Sequence, residues 1–230
     1  NPQAVTVSMK ELADGTDDGA RQVETVLRLY EEWIAARCDE IDDLPRRFQP
    51  AAHRHMDLAK SALARMRTGW ALIGRNPTAT RAFRWANEAM LYQQVRSNFP
   101  LREVERGKDD ILRVNGAHPT PAIPNGRGRW RPFQIAFVLA TLPELIEPTR
   151  KTRSLVDLIF FPTGGGKTEA YLGLAAIEMV HRRLERGVDG LAIAPCQPTV
   201  LPQLRSNKMR ASIVLFDRGY PASPFHTVVS

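Results

Sequence analysis

Cysteine is scarce in this 230-residue chain: Cys38 and Cys196 are the two present. They cannot build a disulfide framework, and a reducing cytoplasm is the default expectation. Long apolar runs are also missing. The best, Leu155 to Phe161, is short and holds Asp157, against the roughly 20 residues a spanning helix needs, so a membrane protein is not expected. No secretory leader with a charged start and an apolar stretch opens the chain. An initiator methionine is lacking too: the sequence begins Asn1-Pro2-Gln3 and reads as a piece of something longer. There is no internal repeat and no low-complexity tract. Acidic residues are outnumbered, 25 Asp plus Glu against 32 Lys plus Arg, which leaves a formal charge of +7. The isoelectric point near 9.8 makes polyanions the expected partners.

The composition that remains is that of a soluble globular domain: 43% hydrophobic, 25% charged, mean hydropathy −0.30. A chain of this size buries a substantial core without metal or disulfide. Val23, Val26, Leu27, Tyr30 and Ile34 recur at i, i+3, i+4, i+7 and i+11, the stripe of an amphipathic helix. Met56, Ala59, Leu63, Met66 and Trp70 repeat the pattern and predict a second helix packed on the first. Asn76-Pro77 predicts a helix start, with the Asn oxygen capping free amides and Pro pre-set in φ, for a helix that holds Phe83, Ala86 and Met90.

Periodicity stops between Pro100 and Pro132, where Pro119, Pro121, Pro124, Gly126 and Gly128 exclude helix and central strand. Beyond it the elements alternate: an apolar helix from about Pro132 to Leu145, a buried strand Leu155 to Phe161, a Gly-rich turn, a helix Lys167 to Arg186 and a strand near Gly190 to Ala194. Alternation of this kind means a parallel sheet covered by helices. The division expected is a helical domain over 1–100, a Pro/Gly-rich linker over 101–131 and a partial ATP-binding domain over 132–230.

The most informative residues are Pro162-Thr163-Gly164-Gly165-Gly166-Lys167-Thr168, directly after the strand and directly before the helix. A phosphate held at a helix start needs bare backbone, so that successive amides turn toward it, and glycine alone permits both the torsions and the approach. Lys167 then reaches the β and γ phosphates, and the Thr168 hydroxyl completes the shell of a Mg²⁺ ion between them. Thr163, Gly164, Gly165, Gly166, Lys167 and Thr168 are therefore the candidate nucleotide-binding residues, with ATP and Mg²⁺ as ligands. An ordinary strand-to-helix turn has no reason to place three glycines before Lys-Thr. The general P-loop has glycine five residues before Gly166, and that place holds Phe161; Pro-Thr-Gly-x-Gly-Lys-Thr is the form superfamily 2 helicases use.

In the helix that follows, Leu172, Ala175, Ala176, Met179 and Val180 predict a broad apolar face against the sheet, and Arg182, Arg183 and Arg186 precede Gly187 at its C-terminal end. Glu169 in the first turn reads as a carboxylate favoured by the helix dipole. Upstream, Arg131-Pro132-Phe133-Gln134 resembles the Q motif of superfamily 2 ATPases. The Gln134 amide offers a donor and acceptors, the pair that reads the N6 and N7 edge of adenine, so ATP is preferred over GTP. Arg127, Arg129, Trp130 and Arg131 interleave cations with an aromatic, which suits nucleic acid, a base, or simply a solvated loop. His53 and His55 point to opposite sides of a helix and are not a metal pair. Cys38 reads as a small buried residue of the first stripe.

Ala82-Phe83-Arg84-Trp85-Ala86-Asn87-Glu88-Ala89-Met90, Trp130 through Phe137, and above all Phe160 through Ala176 resemble the DrmA family, the superfamily 2 helicase-like proteins of the bacterial DISARM anti-phage defence system. The resemblance covers approximately residues 20 to 187, and the chain reads as an N-terminal or internal fragment of such a protein. It implies an α/β fold, a helical N-terminal region followed by an incomplete RecA-like P-loop parallel sheet. It further implies ATP-dependent engagement of DNA and a partner protein in a defence complex. After Gly187 the likeness weakens, and Pro195, Pro198 and Pro202 break any helix. The expectation is that the tail from Val188 is divergent or misread, for instance by a frameshift, which translating the other two frames would test.

Hydrolysis by such motors needs a Walker B carboxylate pair and an arginine finger. Beyond the P-loop helix the acids are Asp189 and Asp217, each isolated, so no catalytic residue is assigned and the segment is expected to bind nucleotide without turning it over. A reading from another class makes the chain a non-motor P-loop interaction module in a defence or repair complex, with the N-terminal helices as protein interface. A small nucleotide kinase or GTPase is disfavoured, because no acceptor-site or guanine-selecting motif is readable.

Overall fold

The stripe of apolar residues from Val23 to Ile34 forms one side of a long helix, and every member of it is buried. The computed structural model describes residues 5–97, 103–114, 123, 127–147, 149–150, 156–160, 166–187 and 211–215. In chain order these build β1 (Val7–Ser8), α1 (Met9–Asp14), α2 (Asp17–Asp39), α3 (Gln49–Arg75), α4 (Pro77–Arg96), β2 (Val104–Arg106), β3 (Leu112–Val114), β4 (Arg129–Trp130), α5 (Pro132–Ile146), β5 (Val156–Phe160), α6 (Lys167–Arg186) and β6 (Ala211–Leu215). The chain is mostly helical and of mixed α/β class.

Helix boundaries follow from caps. Ser8 and Thr16 accept from the amides of Glu11 and Gly19 at the starts of α1 and α2. Asn76 accepts from the Ala79 amide at 3.0 Å and Pro77 opens α4, as the Asn-Pro pair predicts. Arg84 of α4 reaches across to the end of α1, donating to the carbonyls of Ala13 at 2.8 Å and Asp14 at 2.6 Å, beside the left-handed Gly15.

Helix α3 packs on α2, as its stripe predicts, and on α5; α6 packs on α4 and α5. One continuous apolar core runs from Val7 through α2, α3 and α4 into α5 and on to Ala170 and Ile177 of α6. The region before the Pro-rich stretch and the region after it thus share a core. Arg65 of α3 and Glu144 of α5 add an ion pair at 3.5 Å across one of these contacts.

Three two-stranded pairings accompany the helices. β1 pairs antiparallel with β4, Val7 opposite Trp130 and Ser8 opposite Arg129, so the start of the chain holds the segment that leads into α5. β2 and β3 form an exposed antiparallel hairpin, Val104 opposite Val114, where the loss of periodicity predicts only a linker. Its turn uses Asp110 at φ +64°, a conformation that Asp tolerates better than most residues. β5 lies parallel to β6, Val156 opposite Ala211. No wider parallel sheet is present among the described residues, and the strand expected near Gly190 to Ala194 lies outside them, as do Asp189, Asp217 and the prolines of the tail.

The face of α6 differs from expectation. Its buried residues are Ala170, Gly173, Ile177 and His181, and they face helices rather than a sheet. Leu172 and Met179, expected inside, are each 42% exposed. The choice falls on Gly173 because a Cβ there would stand 2.7 Å from the Trp130 ring: the missing side chain lets the indole lie against the helix.

Candidate nucleotide-binding site

Two helix starts meet here: α6 begins at Lys167, and the N-terminus of α5 lies alongside through Gln134. Gly166 precedes α6 in the left-handed region, φ +87° and ψ 26°, a conformation that an L side chain pays for in steric strain. Space excludes a side chain there as well: a Cβ would stand 2.7 Å from Gln134 Nε2 and 3.2 Å from Glu169 Oε2. The two requirements explain glycine at the last position of the run. At the start of the helix Lys167 is half-buried and Thr168 exposed. The first amides of α6 have no partner within the helix, and the helix dipole adds positive potential where they point. Thr163, Gly164 and Gly165 lie outside the described residues.

Gln134 is buried, 3% exposed. Its Oε1 accepts from the Arg131 amide at 2.8 Å, reaching back from the third position of α5 to satisfy the amide at its own N-cap. Its Nε2 donates to the Gly166 carbonyl at 2.8 Å. The structure therefore brings Gln134, Gly166, Lys167 and Thr168 to one place, with the glutamine amide bonded to the backbone ahead of α6. Glu169, expected only as a carboxylate favoured by the helix dipole, stands beside them. Its Oε2 is buried and receives no hydrogen bond. The signal was available in the spacing, since Glu169 follows Gly166 by three residues and so stands over it on the first helical turn.

Trp130 does not serve as an exposed stacking platform. It is 2% exposed, and its indole N–H donates to Asn87 Oδ1 at 2.7 Å, while Asn87 Nδ2 donates to the Phe83 carbonyl at 2.8 Å. An exposed aromatic does exist on α4. Trp85 is 48% exposed with the Arg81 guanidinium 5.1 Å from its ring, and Arg96 stands 5.1 Å from the Tyr92 ring farther along the helix. His53 is exposed, and no group of His, Cys, Asp and Glu among the described residues is arranged to hold a metal ion. Cys38 is half-buried at the edge of a groove of about 500 Å³ between α2 and α3. No described helix is long and apolar enough to cross a membrane.

Fold and site together define a mixed α/β chain in which a strand and a glycine-rich sequence lead to a Lys-Thr helix start, clamped from the side by a buried glutamine. No family model matches the chain. It is similar to the DISARM protein DrmA of Bacillus paralicheniformis, 32% identical over 185 residues, which take in 77% of this chain and 15% of that protein. The likeness is distant, and the chain spans only about 15% of that relative's length.

Proposed function

We propose that this chain is the ATP-binding portion of a DrmA-like superfamily 2 helicase or translocase ATPase of bacterial phage defence, acting in the cytoplasm. The observation that carries the reading is Gly166 in its left-handed conformation at the N-cap of α6, followed at once by Lys167 and Thr168. The amides at the start of α6 and the Lys167 ammonium suit a triphosphate, and Thr168 is the residue to hold Mg²⁺. Mg·ATP bound there supplies a phosphoryl group polarised for attack by water. Gln134 contributes by fixing the Gly166 carbonyl and with it the direction of the first amides of α6. Leu172 and Met179 on the exposed side of α6 suit a RecA-like parallel sheet extending from β5. The three-part division at 100 and 131 stays with this proposal, the first and last parts joined through the shared core.

DNA is the proposed macromolecular partner, on the strength of the +7 charge and the Arg81–Trp85 and Tyr92–Arg96 pairs on α4. A defence-complex protein is the second. The non-motor interaction module remains the competing reading, and one observation favours it: the β2–β3 hairpin carries Val104, Ile111, Leu112 and Val114 exposed. Titration of the chain with a Mg·ATP analogue separates the two. Saturable binding that Lys167→Ala abolishes is expected, without turnover. Binding indifferent to Lys167→Ala and Gln134→Ala removes the motor reading, and robust DNA-stimulated hydrolysis by these 230 residues alone refutes the non-hydrolytic assignment.

A further inference from the structure

The short connection after Asp39 folds α3 back along α2, and a groove of about 500 Å³ runs between the two helices. Its floor is apolar: Ile34 and Leu63 are 4% and 6% exposed. Small side chains stand over that floor, the exposed Ala35 and Ala64 and the half-buried Cys38. Charge divides along the groove by helix. The α2 side carries Glu31 and Asp39, and the α3 side carries Lys60 and Arg67. The members of each pair are two helical turns apart on one face, about 11–12 Å along the axis. Glu31 meets Arg67 at 2.6 Å, and Lys60 lies 3.8 Å from Asp57. Both contacts join side chains that are half exposed or more, so they contribute little in water and exchange readily for new partners.

These features select an occupant. The acidic side repels a phosphate backbone, which excludes nucleic acid. A strand laid in the groove finds no backbone partners, because both walls are helices whose peptide groups are already bonded, whereas a helix brings its own hydrogen bonds. Small walls over an apolar floor leave room for large apolar side chains repeating every three to four residues. We propose that this groove docks an amphipathic helix of a partner protein. Large apolar side chains run along the centre of that helix, Lys or Arg along the edge that meets Glu31 and Asp39, and Asp or Glu along the edge that meets Lys60 and Arg67. The charged edges fix the direction of the helix, since turning it end for end sets like charges face to face. The inference rests on the reading that a partner protein is bound, and not on the nucleotide site.

The test is fluorescence-anisotropy titration of the whole chain with labelled helical peptides of about 20 residues, each with a stripe of Leu. One peptide has Lys on one edge of the stripe and Glu on the other, one has Lys on both edges, and one has Glu on both. The mixed-edge peptide is expected to bind saturably, and on the order of tenfold more tightly than either of the others. Ala64→Trp fills the groove and lowers that affinity by about tenfold or more. Glu31→Lys together with Asp39→Lys makes both sides basic and transfers the preference to the peptide with Glu on both edges. Circular dichroism confirms that each variant is folded, and titration with a Mg·ATP analogue is expected to give the same result in all of them. Absence of saturable peptide binding, or affinities that neither distinguish the peptides nor respond to the variants, overturns the proposal and leaves the nucleotide reading standing. Sedimentation showing a dimer of the chain that Ala64→Trp abolishes also overturns it, by giving the groove to a second copy. The expected peptide selectivity in a chain that binds no nucleotide supports this inference and removes the nucleotide reading alone.

Discussion

The amide of Gln134 donates to the carbonyl of Gly166 across 2.8 Å, joining the first turn of α5 to the residue before α6, 32 positions later in the chain. A glutamine with Nε2 on this carbonyl and Oε1 on the Arg131 amide is a strut between two helix starts. Replacing it by Ala removes two hydrogen bonds, each with a net contribution of about 1 kcal/mol. Gln134→Ala is expected to lower the denaturation midpoint by a corresponding amount and to weaken Mg·ATP binding at least several-fold. Paired denaturant unfolding and nucleotide titration of the same sample read both effects.

Gly166 itself tolerates no side chain. Gly166→Ala meets left-handed strain of roughly 1–2 kcal/mol and a Cβ 2.7 Å from Gln134 Nε2. Because that atom ends a flexible side chain, the expected response is expulsion of the glutamine rather than unfolding. The variant should remain helical by circular dichroism yet lose nucleotide affinity more than Gln134→Ala does. Equal losses in the two variants would mean that the glycine conformation matters only through the glutamine.

Much of this arrangement is legible in the residues themselves. The α2 stripe, the Asn76 cap of α4 and both ends of α6 follow from periodicity and punctuation, since each is decided within a few residues. The contacts that decide the site are not local. Periodicity shows that α6 has an apolar side but cannot say whether Leu172 or Ile177 faces inward. That depends on Gly173 and on an indole 43 residues upstream of it. Trp130, flanked by arginines in sequence, is likewise buried by β1, by Asn87 and by α6, none of which a window around it contains. Gln134 reads as a ligand contact because its neighbours suggest a known motif, and its bond to Gly166 needs the fold to be seen.

Trp130 and Asn87 carry a prediction of their own. Both are 2% exposed, and the indole N–H has the Asn87 carbonyl oxygen as its acceptor at 2.7 Å. Asn87→Ala leaves that N–H buried and unpaired, at a cost of about 1–3 kcal/mol. It should also shift the fluorescence of Trp130 without altering the exposed Trp85. Thermal unfolding gives the first effect, and an iodide-quenching comparison gives the second, since quenchable Trp85 emission should be unchanged.

The hairpin supplies a pH dependence. Arg113 donates to both carboxylate oxygens of Asp109, one at 2.8 Å, and this charged pairing holds the Asp109 pKa below its ordinary value. A carboxylate whose pKa is lower in the folded hairpin contributes stability above its unfolded value, and loses it as pH falls through the lowered folded one. Both groups are exposed, so the contribution is small and screened by salt. A carboxyl-carbon NMR titration should place the Asp109 midpoint below that of the other exposed aspartates, and Arg113→Ala should raise it toward theirs. An Asp109 midpoint indifferent to Arg113→Ala would show that the pair does not form in solution.

Two glycines of α3 should respond in opposite directions to the same substitution. Gly69 lies against α5, where a Cβ would stand 2.0 Å from the Leu139 carbonyl oxygen. That carbonyl is available for the close approach because residue 143, four positions on, is a proline with no N–H to donate. Backbone cannot retreat as a flexible side chain can, so Gly69→Ala must push α3 and α5 apart and disturb the packing of Met66 and Leu142. Overpacking of this kind costs typically 1–3 kcal/mol and more where backbone must move. Gly74, a turn farther on and exposed, has nothing within 4 Å of a Cβ. Gly74→Ala there gains helix propensity, up to about 1 kcal/mol. Denaturant midpoints of the two single variants should therefore fall on opposite sides of the unaltered chain. If both fell on the stabilised side, the close contact of α3 with α5 at Leu139 could not exist.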